Sequence, residues 1–113
     1  MRYLLLVCGE EQAHKAMEAD GSFQASCRAW VDEMRRRGVL VATGGLRPPG
    51  DATTVRVRDD QVLVSDGPFA ETKELIAGFS LIECPALDEA LEVTAKHPAA
   101  RYGMIEIRPL VPT

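Results

Sequence analysis

The sequence predicts a single α+β domain. Three observations carry that expectation. Two amphipathic helical segments each lie between apolar strand-like runs, a cleanly alternating pair of short strands falls between them, and 113 residues fit one domain and no more. No linker, internal repeat or low-complexity stretch interrupts the chain, so residues 1–113 are read as one unit.

Residues 2–8 are continuously apolar and read as a central strand covered on at least one face. Residues 9–21 are polar and bounded by glycines, with a short helix expected around Gln12–Met17. Ser22 is placed as the N-cap of the first long helix. Phe23, Cys27, Trp30, Val31 and Met34 then share one stripe, and Arg28, Asp32, Glu33, Arg35 and Arg36 lie opposite. Arg35, Arg36 and Arg37 suit the negative end of the helix dipole, and Gly38 ends it.

Residues 39–43 form the second strand, followed by a loop built on Gly44-Gly45 and Pro48-Pro49-Gly50. Thr53 to Arg58 alternates, with Val55 and Val57 on one side and Arg56 and Arg58 on the other. Asp59-Asp60 makes a tight turn, and 61–65 returns as the partner strand. Residues 66–75 are read as a loop with a helical turn, and 78–84 as a strand broken by Pro85. Leu87 to His97 is the second long helix, with Leu87, Ala90, Leu91, Thr94 and Ala95 expected inside and Asp88-Glu89 in the first turn. Pro98 stops it, and 104–108 is the last strand.

Without the hairpin this order is two split βαβ units, the ferredoxin-like pattern. Two helices cover only one face of such a sheet. A second subunit's sheet is the simplest cover for the other face, which predicts a homodimer with sheets packed face to face.

Composition narrows the partners. A net charge of −4 and a pI near 5.1 argue against nucleic acid and anionic membrane surfaces. No apolar run approaches a membrane span. The apolar N-terminus is too short for a signal peptide, and Glu10-Glu11 follow it. Three cysteines without CxxC spacing favour reduced thiols in a cytoplasm over disulfides or zinc. Neither a metal-ligand spacing nor a phosphate-cradling glycine motif is present, so no cofactor is implied.

The segment Asp66-Gly67-Pro68-Phe69-Ala70-Glu71-Thr72-Lys73-Glu74, followed by Gly78-Phe79, resembles the signature of the DGPF group of YCII-related proteins. Gly44-Gly45-Leu46-Arg47-Pro48-Pro49, Leu87-Asp88-Glu89-Ala90 and His97-Pro98-Ala99-Ala100-Arg101 match the same group, so the resemblance covers nearly the whole chain. It implies a dimeric α+β barrel of ferredoxin-like subunits. The wider family resembles enzymes with a His–Asp pair, and similar DGPF proteins are often encoded beside extracytoplasmic-function sigma factors. Many relatives carry a histidine on the first long helix, three residues before an aromatic. Here Cys27 stands there, with Trp30 as the aromatic.

The same segment is the strongest site candidate. Asp66, Glu71 and Glu74 crowd three carboxylates beside Lys73, and crowded carboxylates raise one another's pKa. Asp66 and Glu71 are the candidate proton carriers, and Lys73 the holder of developing negative charge. Gly67, Pro68, Phe69, Glu74 and Arg47 are candidate ligand contacts. Cys27 and His97 are candidates to replace the helix histidine. The plainer readings are a turn at 66–68, a core thiol at Cys27, and a His97 cation capping the second helix. Two functions follow. One is a cofactor-independent small-molecule enzyme working by acid–base chemistry in a dimer cleft. The other is a non-catalytic ligand-binding or regulatory module associated with sigma-factor signalling.

Overall fold

A computed structural model describes residues 1–68 and 75–112. Its body is a four-stranded antiparallel sheet of β1 (Arg2–Gly9), β2 (Leu40–Gly45), β5 (Leu75–Glu83) and β6 (Met104–Pro109), in the order β2-β5-β1-β6. Helices α1 (Glu11–Ala19) and α2 (Phe23–Arg36) follow β1, and α3 (Leu87–Ala95) joins β5 to β6 through the 3₁₀ turn Pro98–Arg101. The strand order is compatible with a ferredoxin-like α+β fold. Strands β3 (Thr53–Arg58) and β4 (Gln61–Asp66) form a separate two-stranded sheet. Among the described residues, no helix is long and apolar enough to cross a membrane.

Alternation along β1 builds the two faces. Tyr3, Leu5 and Val7 are buried, whereas Leu4, Leu6 and Cys8 between them are half-buried. Trp30 and Met34 of α2 and Ala90 and Val93 of α3 pack with Tyr3, Leu5, Ile82 and Cys84 as the main core. Fully burying a side chain such as Leu5, Met34, Ile82 or Val93 contributes about 1.5–3 kcal/mol. The Trp30 indole N–H donates to the Val93 carbonyl at 2.9 Å, joining the two helices through the core. A second cluster of Val7, Met17 and Ala99 docks α1, with Phe23 and Tyr102 packed edge-to-face at 5.6 Å beside it.

Several elements differ from the sequence expectation. The buried stripe of α3 is Ala90, Val93 and Thr94, while Leu87 and Leu91 lie about half exposed. Apolar residues at 87, 90, 91, 93 and 95 fit more than one stripe, and the Trp30–Val93 bond settles which faces inward. Ser22 occupies the N-cap position of α2, but its side chain makes no capping bond. It is already in helical geometry, and its N–H and hydroxyl both donate to the Asp20 carboxylate. Strand β2 starts one residue late because Gly38, at φ +71°, lets Val39 turn back and donate to Met34.

The hairpin turn carries positive φ at both Asp59 and Asp60, the geometry of a two-residue type I′ connection. At the far end of the sheet, β1 and β6 run so close that only glycine fits at 103. A β-carbon there would stand 2.4 Å from the Cys8 carbonyl oxygen.

Candidate functional site

Of the signature segment, Phe69, Glu71, Lys73 and Glu74 lie outside the described residues, together with Ala70 and Thr72. Its head is described. Asp66 ends β4 opposite Thr53 and is exposed, and its carboxylate has no hydrogen-bond or ion-pair partner among the described residues. Gly67 takes φ +92°, a conformation that side chains rarely adopt. Its N–H donates to the Ala52 carbonyl at 2.7 Å, and the Thr54 hydroxyl donates to the Gly67 carbonyl at 2.8 Å. Gly67 therefore closes the root of the hairpin. Pro68 is exposed beyond it.

Register places the other end. Leu75, the first described residue after the segment, pairs with Gly9, and Met104 pairs with Cys8. The end of β1 and the starts of β5 and β6 therefore meet at one edge of the body. Two clefts open there, and both are lined by Tyr102. The first, about 440 Å³, runs between α2 and the turn Pro98–Arg101, with Asp20, Ser26, Glu33, Lys96 and Arg101 among its polar lining. The second, about 490 Å³, is bounded by Gly9, Glu10, Gln12, Gly103 and Met104. Both volumes suit a small molecule.

Tyr102 is the hinge post between the clefts. Its hydroxyl donates to the Asp20 carboxylate across 82 residues of sequence. That bond, with the two from Ser22, holds the Asp20 carboxyl below its usual range, and the same bond raises the Tyr102 phenol. At neutral pH the pair is thus fixed as carboxylate and phenol. Sequence reasoning passed over both residues. The available signal was Asp20-Gly21-Ser22 before a helix, a pattern in which an Asp side chain bonds backbone two residues on.

The remaining sequence candidates are not gathered with Asp66. Cys27 sits half-buried on α2, and burial raises its thiol, so it is a poor thiolate nucleophile. His97 does not cap α3 as a cation. Its Nδ1 accepts the Ala99 N–H at 3.0 Å, capping the following turn, and its ring lies 4.7 Å from that of Trp30. Burial lowers its pKa to about 4, so the ring is neutral. Neither residue lines a cleft. Arg47 is exposed and pairs with Asp51 at 2.9 Å within its own loop. His14, on α1, faces the sheet end. Its Nε2 is buried without a hydrogen-bond partner among the described residues, and its Cδ2 lies 3.5 Å from where a β-carbon on Gly9 would sit. Among the described residues, no three His, Cys, Asp or Glu side chains gather as a metal site.

Fold and site together define a small α+β domain with two open clefts of mixed lining on either side of Tyr102. Comparison with known proteins narrows this. A family model, the YCII-related domain, matches residues 1–113, and the chain belongs to that family. It is also 36% identical over 114 residues to an uncharacterised protein of Rhizobium meliloti (strain 1021), a match covering 97% of this chain and 92% of that protein.

Proposed function

We propose that this chain binds a small molecule in the clefts that meet at Tyr102 and does so as a homodimer. The observation that carries the reading is the pair of small-molecule-sized clefts sharing one aromatic post. The displaced pKa values at that post, Asp20 down and Tyr102 up, move away from neutrality, which suits holding a ligand better than passing a proton. A regulatory setting beside sigma factors, as the resemblance implies, is consistent with such a module. Three cysteines without CxxC spacing fit a reducing cytoplasm. Thermal unfolding across a metabolite panel tests the binding. At least one compound is expected to raise the melting temperature, and Tyr102→Phe should abolish that shift. No shift from any compound would count against the reading.

A second reading is favoured by one observation, the carboxylate of Asp66 at the head of the acidic segment, which is exposed and has no partner among the described residues. Here the chain is a cofactor-independent acid–base enzyme with Asp66 or Glu71 carrying the proton and Lys73 holding charge. Turnover unchanged by Asp66→Asn and Lys73→Met would remove those roles.

The homodimer rests on the sheet face away from the helices. Leu4, Leu6, Phe79 and Leu81 are half-buried there, and Ile76 and Met104 are 44% and 52% exposed. Register also places Glu106 and Arg108 on this face, opposite Leu6 and Leu4 on the edge strand, so it is an apolar centre flanked by an ion pair, and a second sheet fits it. Leu6→Glu should convert the dimer to a monomer in sedimentation velocity. An unchanged dimer would exclude this face.

A further inference from the structure

The hairpin β3–β4 carries an apolar face that the described residues leave bare. Val55 stands opposite Val64 and Val57 opposite Val62. Residues directly opposite in a pair point to one side, so the four valines form a single face. They are 61%, 64%, 57% and 66% exposed. The other face carries Thr54, Arg56, Arg58, Gln61 and Ser65, with Leu63 among them. Apart from Thr54, every residue of both strands is exposed.

A two-stranded hairpin is marginal by itself in water. This one also stands off the body. The radius of gyration is 15.8 Å, and the longest dimension 47 Å, whereas a compact chain of this length has a radius near roughly 13 Å. Four β-branched residues facing water on an extended arm are explained by a cover that the described residues do not supply.

Interface size identifies the cover. A stable protein interface takes about 800 Å² and roughly 20–30 residues from each partner. The open sheet face has strands of 8, 6, 9 and 6 residues. Only about half of those residues point outward, so that face by itself falls short. The arm leaves the body after the edge strand β2 and returns into β5, at the flank of the same sheet. It is placed to extend the contact around a second copy.

We propose that β3–β4 is a dimerisation arm whose valine face packs on the second copy of this chain. The proposal rests on the homodimer reading above. The test is sedimentation velocity on a dilution series of the full chain, comparing wild type with the double variant Val55→Lys/Val64→Lys and with Leu63→Lys on the opposite face. The double variant is expected to weaken dimerisation at least 30-fold, with the body's circular dichroism unchanged, while Leu63→Lys stays within about threefold of wild type. Hydrogen exchange should show β3 and β4 amides protected in the wild-type dimer and unprotected in the double variant. A wild-type chain that is monomeric throughout the series overturns the homodimer and the arm together. A dimer broken by Leu6→Glu but kept within threefold by the valine variant overturns the arm alone. Equal weakening by Leu63→Lys also overturns it, since the effect would not belong to the valine face.

Discussion

Gly103→Ala is expected to lower the melting temperature by roughly 10 °C or more, a loss of about 3 kcal/mol. The new β-carbon would meet backbone on two sides, 2.4 Å from the Cys8 oxygen and 3.1 Å from the Gly9 α-carbon. Backbone atoms cannot rotate away as a side-chain tip can. Relief requires β1 and β6 to part where Cys8 pairs with Met104. Gly50→Ala is the control, since a β-carbon there meets nothing within 4 Å. It should change stability by less than about 0.5 kcal/mol. Thermal unfolding of both variants decides the matter, and equal melting temperatures would show that the two strands have room to yield.

The second large effect is in acid. His97 has an ordinary pKa of 6.5 and a folded value of about 4. Between those values the unfolded chain binds a proton that the native ring refuses. Stability therefore falls as pH drops through this window and is fully lost from this source below about 4. The size is about 2–3 kcal/mol, reduced from the full shift because the ring keeps some contact with solvent. His97→Asn retains a side-chain oxygen to accept the Ala99 N–H but cannot titrate. Denaturant unfolding between pH 7 and 4 should give a much flatter profile for the variant. Parallel profiles would place the acid sensitivity elsewhere. The Asp20 contribution runs in a separate range. Its lowered carboxyl adds stability above its ordinary 3.8 that is lost only as pH falls through the lower folded value.

The existence of each strand and the whole of α2 were legible, whereas Gly44-Gly45 and Leu75, read as loop, belong to β2 and β5. Residues 2–8 are one continuous apolar run, and Phe23, Trp30 and Met34 admit one helical stripe. The rotation of α3 was not legible, because small and apolar residues surround that helix and a single cross-helix bond from Trp30 fixes it. At the site, Gly67 was readable as a backbone requirement, and the structure shows the positive φ behind it. The clefts were not readable. They are assembled from Asp20 and Tyr102, 82 positions apart, and from the close approach of Gly9 and Gly103. Nothing local in those residues announces their meeting. The capping role of His97 was similarly hidden, since the same residue before Pro98 fits the end of one helix or the start of the next turn.

The contact between Trp30 and His97 has an optical consequence. Trp30 is the sole tryptophan of the chain, 4% exposed, with its ring 4.7 Å from and tilted 60° to an imidazole that is neutral at pH 7 in the native state. Its emission should be blue-shifted, as for an indole shielded from water. A protonated imidazole quenches a neighbouring indole, so acid titration of His97 and loss of the core each leave their own mark on one emission band. The chain thus carries a label-free reporter at the contact between α2 and the residues that follow α3, and both the acid window and any ligand that tightens the adjoining cleft can be followed by fluorescence alone.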